Sequence, residues 1–283
     1  MLHEKADMAS HVPTGCVFVR RKRLTLPPMI PLKTLPDASQ KPFWTRVLAV
    51  SIALVWAVQL AFSTLNGCDL ALEFGVRPVC YFHPWGCGVT EVSLPPLHLS
   101  PFIHWAQTPF GHLVSAPVVS LWLHADWWHV GFNLLFLLVF GGALEGEIGR
   151  SRFLRLYLVG GLVATACHVA FNARSDVATI GASGAIAALL GAHFWRLPRA
   201  WVLTYFPPVF LFPLPAPLFG LLWIGAQFVG ASQNFHLPFF GVAHGGGIAW
   251  MAHVGGFVWG AWSAYRFGMR QKRGRKKIVR VLG

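Results

Sequence analysis

Four polar side chains in otherwise apolar segments are of the types that hydrolyse acyl bonds. Ser183 lies in GASGAIAALLGAHFW, and His253 lies in WMAHVGGFVWG. A serine hydroxyl with an imidazole as its general base forms a nucleophile. His129 and Asn133, in WWHVGFNLLF, are spaced i, i+4 and therefore share one face of a helix. Imidazole and amide N–H groups that point to one place could stabilise a developing oxyanion.

Each of these residues also has a purely structural interpretation. A serine at the start of a helix is a common N-cap. A buried histidine can bond a backbone carbonyl, and Asn and His often join membrane helices through hydrogen bonds. Residues 200–265, which include His253, contain no Asp or Glu, and Asp126 lies at the membrane surface. This favours a Ser183–His253 dyad over a triad that includes a carboxylate.

The elements that must hold these side chains are membrane spans. The chain is 55% hydrophobic and 12% charged, whereas soluble domains carry about 25% charged residues. A spanning helix needs about 20 mainly apolar residues. Charge-free segments suited to six spans cover residues 47–68, 127–144, 156–173, 177–195, 209–231 and 246–265. We therefore predict an all-α membrane protein with a bundle of six transmembrane helices.

The basic residues give the orientation of this bundle. The net charge is +13, from 23 Lys and Arg against 10 Asp and Glu. If the N-terminus is cytoplasmic, Arg77 and Arg174 fall outside and the other 21 of the 23 fall inside, as the positive-inside rule requires. We therefore expect both termini in the cytoplasm. The positions of the charges predict contact of the basic tail with anionic lipid rather than nucleic-acid binding.

The chain divides into three parts on this basis. Residues 1–42 are a basic cytoplasmic extension, whose prolines predict a flexible segment; residues 43–266 form the six-span domain, and residues 267–283 form a basic cytoplasmic tail. The first outer loop, 69–126, is rich in Trp, Pro and His with few charges, which predicts a segment lying in the membrane interface. Cys80 and Cys87 in this loop could form a disulfide or remain free, because sequence does not give the pairing. The histidine spacings suit no metal-ligand set, and we predict no metal and no cofactor.

The predicted topology brings the four candidate side chains to one depth. Spans two, four and six all run from the outer side inwards, and His129 with Asn133, Ser183 and His253 lie near their respective starts. A helix N-terminus at Ser183 would also present unpaired backbone N–H groups and the positive end of the helix dipole. The four residues could therefore surround one site that opens to the outer side.

Glycines near these residues would allow the helices to approach closely. Gly181 and Gly184 permit a tight backbone around Ser183. Gly256 and Gly260 have the spacing of a close contact between membrane helices. Ordinary bundle packing explains such glycines equally well.

Three motifs together resemble the rhomboid intramembrane serine proteases. They are HADWWHVGFNLLFLLVFGGALEGEIG, GASG and AHVGGFVWG, in this order on six spans. The resemblance extends over residues 43–266. It implies that Ser183 is the nucleophile and His253 the base. It also implies an oxyanion hole formed by His129, Asn133 and the Ser183 backbone N–H.

The resemblance has further implications for supporting residues and for function. Gly181 and Gly256 match motif glycines, and Glu145 matches a structural glutamate after span two, which could pair with a cytoplasmic arginine or cap a loop. The implied reaction is hydrolysis of a peptide bond in or near a transmembrane segment of another protein. The implied location is a bacterial inner membrane, with span five as a gate. Nothing in the sequence gives the oligomeric state.

Two positions depart from the family pattern. Many rhomboids carry an aromatic residue one turn after the nucleophile, packed on the catalytic histidine, and this chain has Ala187 there. Trp250 or Phe257 could support His253 instead. Many also carry a Trp-Arg pair in the first loop, where this chain has residues 115–116, Ser-Ala. These departures concern rate and substrate preference, because no catalytic group is lost.

Two other functions fit the sequence less well. A catalytically silent rhomboid-like protein that binds transmembrane segments would not need both Ser183 and His253. A small transporter or channel fits six spans loosely. The spans lack Asp, Glu, Lys and Arg at their centres, which disfavours ion or proton coupling.

Overall fold

Helices dominate the computed structural model of the chain. The structure describes residues 29–35, 41–66, 69–84, 105–106, 108–207, 210–231 and 249–281. The helices are α1 (Trp44–Asn66), α2 (Leu70–Phe74), a 3₁₀ turn (Pro78–Tyr81), α3 (Pro109–Val119), α4 (Trp127–Ile148), α5 (Arg150–Phe171), α6 (Ser183–Arg196), α7 (Ala216–Ala231) and α8 (Trp250–Val281). The strands are β1 (Ile30–Leu35), β2 (Trp201–Phe206) and β3 (Phe210–Pro215).

Three of the described helices are long and apolar enough to cross a membrane, namely α1, α4 and α5. Shorter apolar helices occur at Pro109–Val119 and Ala216–Gln227. The mostly helical fold agrees with the predicted class. The predicted spans at 209–231 and 177–195 are longer than the helices α7 and α6, which begin at Ala216 and Ser183.

The centre of the molecule is α6, which packs against α4, α5, α7 and α8. Every side chain from Gly184 to Phe194 in this helix is buried, which explains why it is apolar all round. Fourteen residues extend about 21 Å at 1.5 Å per residue. The hydrocarbon core of a bilayer is about 30 Å thick, so this helix is shorter than that thickness.

Glycines bring α8 against α6, as their spacing predicts. A Cβ on Gly256 would overlap the carbonyl oxygen of Gly184, and a Cβ on Gly260 would overlap that of Ala188. On the other side, a Cβ on Gly191 would overlap the carbonyl oxygen of Phe257. The two backbones are therefore in direct contact, which only glycine allows at these positions.

A three-stranded antiparallel sheet, in the order β1-β2-β3, corrects two sequence predictions. The fold is not all-α, and the segment before α7 is a strand because β3 pairs with β2. Pro213 and Pro215 lack an N–H and fit an edge strand, which β3 is. The N-terminal extension is not flexible throughout either, since β1 pairs with β2 and the Thr34 hydroxyl donates to the Val139 carbonyl of α4 at 3.1 Å.

Glu145 caps the start of α1, which settles one of the two uses predicted for it. Its buried carboxylate accepts hydrogen bonds from the backbone N–H groups of Phe43, Trp44 and Thr45 at 2.9 to 3.0 Å, and from the Thr45 hydroxyl at 2.8 Å. The first N–H groups of a helix have no partner within it. A carboxylate from α4 therefore satisfies them and joins α1 to α4.

Candidate active site

Ser183 is the first residue of α6, and Gly181 forms the turn that leads into it. Gly181 has φ +118°, a conformation that residues with a side chain rarely adopt. Its N–H donates to the Ser120 carbonyl at 2.8 Å, which holds the turn against the segment after α3. The chain thus turns sharply into α6, and the serine is presented where the helix N-terminus is open.

His253 lies in the first turn of α8 and meets Ser183 directly. Its Nε2 is 2.8 Å from the Ser183 Oγ, and its Nδ1 is 2.6 Å from the Oε1 of Gln227 in α7. An amide oxygen is an acceptor only, so the proton of the neutral ring belongs on Nδ1. Nε2 is then free to accept the serine hydroxyl proton, which is the geometry of a nucleophile with its general base.

His129, in the first turn of α4, lies on the other side of Gly181. A Cβ on Gly181 would be 2.6 Å from the His129 Nε2 and 3.7 Å from the Ser183 Oγ. The His129 Nδ1 accepts a 3.4 Å hydrogen bond from the Ala125 N–H, which leaves the proton of the neutral ring on Nε2. The site therefore has an N–H donor near the serine, where an oxyanion would develop.

The loop before α4 holds His129 in place. The Asp126 carboxylate accepts from the His129 backbone N–H at 2.8 Å and caps the helix. The ring of His124 meets that of His129 edge to face, with centroids 5.0 Å apart. Burial lowers the pKa of His124 to about 3, so its ring is neutral at physiological pH.

Asn133 adjoins this group rather than sharing its centre. The side chain is buried, and its amide N–H donates to the His129 backbone carbonyl one turn earlier, at 2.7 Å. An amide has two N–H groups, so this bond leaves one of them uncommitted. Ser183 and His129 thus lie beside Gly181, His253 meets Ser183 from α8, and Asn133 bonds the His129 backbone carbonyl.

Two residues of α7 that the sequence analysis did not single out complete the surroundings of His253. The indole of Trp223 lies against the imidazole, with centroids 5.8 Å apart and planes at 42°, and Gln227 bonds Nδ1. Trp250 also meets the ring edge to face, at 6.2 Å. The signal in the sequence was the i, i+4 spacing of Trp223 and Gln227 in an apolar helix, where a glutamine needs a partner.

The two departures from the family pattern lie in packed positions. Ala187 faces α8, and its Cβ is 3.3 Å from where a Cβ on Gly256 would lie. Ala187 is buried and has no ring to pack on the histidine, which Trp223 reaches from α7 instead. Residues Ser115 and Ala116 are buried on α3. Cys80 is disulfide-bonded, and Cys87 lies outside the described residues.

Comparisons with known proteins give the family of the chain. The family profile described as Rhomboid domain matches residues 113–270. The chain is 26% identical over 173 residues to Rhomboid protein 1, mitochondrial, of Saccharomyces cerevisiae, covering 58% of this chain and 45% of that protein. It is 32% identical over 163 residues to RHOMBOID-like protein 1 of Arabidopsis thaliana, covering 58% and 37%.

A bacterial protein also matches. Rhomboid protease GlpG of Haemophilus influenzae is 31% identical over 138 residues, which cover 49% of this chain and 64% of that protein. The matched part of the chain thus spans less than two thirds of each of these relatives. The profile match includes the residues around Gly181, those of α7, and those of α8 as far as residue 270.

Proposed function

The chain belongs to the rhomboid family, and we propose that it is an intramembrane serine endopeptidase. Its substrates are transmembrane proteins, cut at a peptide bond in or near a membrane span. The single observation that carries this proposal is the 2.8 Å approach of the Ser183 Oγ to a His253 nitrogen whose protonation is fixed from the other side of the ring. The reaction calls for no cofactor.

In the proposed reaction Ser183 attacks the carbonyl carbon of the scissile bond while His253 takes the hydroxyl proton. The negative oxygen of the tetrahedral intermediate accepts hydrogen bonds from the His129 Nε2–H, the Ser183 backbone N–H and the Asn133 amide. His253 then gives the proton to the leaving amine, and the acyl group stays on the serine. A water molecule, deprotonated by the same imidazole, hydrolyses the ester and restores the free enzyme.

The substrate has to unwind locally before this attack. Carbonyl groups within a helix are hydrogen-bonded along its axis and are shielded by the following turn. We therefore expect cleavage near helix-breaking residues of the substrate span. Such a segment would reach Ser183 from the outer side, where α6 begins.

The proposal includes a six-pass topology with both termini in the cytoplasm and the site open to the outer side. The asymmetric distribution of basic residues supports it, and the helices α6, α7 and α8 would supply the three spans beyond α1, α4 and α5. The loop between α1 and α4 would lie partly in the membrane interface. We assign the protein to an inner membrane, in agreement with the cytoplasmic basic segments.

The proposal is tested by replacing the nucleophile. Ser183→Ala is expected to abolish both fluorophosphonate labelling and cleavage of a single-pass substrate in liposomes, because the attacking oxygen is removed. Ser263→Ala, at a buried serine of α8 outside the site, is the matched control and should retain both activities. His253→Ala should also lose labelling.

Other outcomes would redirect the assignment. Equal cleavage by the wild type and Ser183→Ala would contradict the proposal. A wild-type protein that is never labelled, yet binds single-pass substrates, would be a silent binder of transmembrane segments.

A further inference from the structure

We propose that Gln227 is a positioning residue that fixes the tautomer and orientation of His253. This inference rests on the proposed protease function. Gln227 is buried in α7, and its Oε1 lies 2.6 Å from the His253 Nδ1. The residue does not touch Ser183 in this arrangement, since the serine meets the opposite nitrogen of the ring. Any effect on the reaction must therefore pass through the imidazole.

The direction of the glutamine amide follows from its second hydrogen bond. The Gln227 Nε2 donates to the Trp223 backbone carbonyl at 3.2 Å, one turn earlier in α7. A flipped amide would place Oε1 against that carbonyl, so that two acceptors would face each other. The helix backbone therefore orients the amide with its oxygen towards His253.

This oxygen selects one of the two neutral forms of the imidazole. A neutral histidine carries its proton on either Nδ1 or Nε2, and only the Nδ1-protonated form can accept the Ser183 proton. Without an acceptor at Nδ1, a buried ring would divide between the two forms. With the Gln227 oxygen present, the Nδ1–H is satisfied, and the lone pair of Nε2 points at the serine.

A neutral partner suits the apolar surroundings. An ionised carboxylate within a membrane helix is costly, and α7 has no Asp or Glu anywhere in its sequence. The amide dipole gives the orientation that a carboxylate gives in other serine proteases, without a buried charge. The proposed site therefore has a third member, Gln227, which is an amide and not a carboxylate.

The same contact makes the base depend on the position of α7. Trp223 and Gln227 are one turn apart, and both meet the imidazole, one through its face and the other through Nδ1. The N-terminal half of α7 is anchored by Phe219, which is fully buried among aromatic rings of α4 and α6. Movement of α7 away from α8 would remove both contacts from His253 together.

The test measures how fast a fluorophosphonate labels Ser183, because this rate depends on the base and not on a peptide substrate. Gln227→Met keeps the length and apolar volume but removes the acceptor. Gln227→Glu keeps an acceptor oxygen at the same place. Ser263→Ala serves again as the control, and each rate is divided by the folded fraction from thermal unfolding.

The expected order of rates separates positioning from packing. Losing one hydrogen bond of about 1 kcal/mol corresponds to a factor of about five at 25 °C, so Gln227→Met should lower the labelling rate about fivefold. Gln227→Glu should stay within about threefold of the wild type, since a neutral carboxylic acid can donate to the Trp223 carbonyl and accept from the His253 Nδ1–H, as the amide does. A residue that only packs would give the opposite order, because Met suits an apolar site better than Glu.

Different results would contradict the positioning role of Gln227 and the proposed protease function. Wild-type labelling by Gln227→Met, or a rate for Gln227→Glu at or below that of Gln227→Met, would overturn the positioning role while the protease assignment stands. Failure of the wild type itself to label at Ser183 would instead refute the proposed function, and with it this inference.

Discussion

Two histidines in one site are held in opposite neutral tautomers by their hydrogen-bond partners. The His253 Nδ1 faces an acceptor, the Gln227 oxygen, which leaves its Nε2 as a base. The His129 Nδ1 faces a donor, the Ala125 N–H, which leaves its Nε2 as a donor. Both Nε2 atoms point towards the surroundings of Ser183. A base and an oxyanion donor thus arise from one residue type through the hydrogen bond on the far side of each ring.

Gly181 is the residue at which this arrangement is most easily broken. Gly181→Ala would place a methyl group 2.6 Å from the His129 Nε2 and force a side chain into φ +118°. Displacing one oxyanion donor should lower the cleavage rate by about 100-fold or more. The strained backbone should also lower the free energy of unfolding by about 1 to 3 kcal/mol. Cleavage of a single-pass substrate and equilibrium unfolding in detergent measure the two effects.

Gly131→Ala is the matched control for this substitution. Gly131 lies in α4, the helix that carries His129, and a Cβ there would meet nothing within 4 Å. Replacing an open helical glycine by alanine should leave cleavage unchanged and stabilise the protein by up to about 1 kcal/mol. If Gly181→Ala cleaved the substrate as fast as Gly131→Ala, the close approach of His129 to the turn before Ser183 would not contribute to catalysis.

The sequence singled out the residues that meet at the proposed site, but not those that support them. Ser183, His253 and His129 stand out because a polar group in an apolar span needs a reason to be there. Gln227 is equally anomalous, but the pattern of serine proteases predicts a carboxylate, not an amide, beside the histidine. The aromatic neighbour Trp223 was not identified either, since it lies 30 residues before the histidine and on another helix.

At the scale of elements, one buried carboxylate of α4 links that helix to the start of α1. Glu145→Gln replaces an ionised acceptor of four hydrogen bonds by an amide with one acceptor oxygen. Hydrogen bonds to charged groups contribute about 1.5 to 3 kcal/mol, and the free energy of unfolding should fall by about 2 kcal/mol or more. Equilibrium unfolding in detergent, followed by tryptophan fluorescence, provides the measurement.

Glu147 offers the comparison for this prediction. It lies in the same turn of α4, is partly exposed and pairs with Arg196 at 2.6 Å. An exposed ion pair contributes about 0 to 1 kcal/mol, so Glu147→Gln should change the free energy of unfolding by no more than that. Equal effects of the two substitutions would mean that the capping of α1 adds nothing beyond surface charge.

The sheet marks the limit of prediction from hydropathy at this scale. Residues 200–265 lack charges, so a search for apolar segments cannot separate a strand from a span within them. The prolines at 213 and 215 signal a break before α7, yet the strand itself forms only because β2 supplies partners for β3. Pairing of β1 with β2 depends on residues about 170 positions apart, which local patterns do not reveal.

At the scale of the whole molecule, unequal helix lengths support the proposed depth of the site. The helices α4 and α5 have 22 residues each, whereas α6 has 14. At 1.5 Å per residue α6 is about 12 Å shorter than these two helices. If α4 and α5 span the membrane, a start of α6 below the surface would leave the proposed nucleophile Ser183 room for water and an unwound substrate segment.

The orientation of the molecule can be tested with one cysteine at each end of α5. Ser151 and Val177 are exposed and flank a helix about 33 Å long, so a spanning α5 must place them on opposite sides. Arg150, Arg152 and Arg155 surround the first position, whereas Arg174 and Arg77, which pairs with Asp176, lie near the second. The positive-inside rule therefore places Ser151 in the cytoplasm.

A membrane-impermeant maleimide should accordingly label Val177→Cys in intact cells, and Ser151→Cys only after the membrane is opened. The unsubstituted chain gives the background from native cysteines such as Cys167, which is a free thiol. Labelling of Ser151→Cys alone in intact cells would invert the topology and move the start of α6 to the cytoplasmic side. Ser183 would then meet substrates from the cytoplasm, because the site and Val177 lie at the same end of α5.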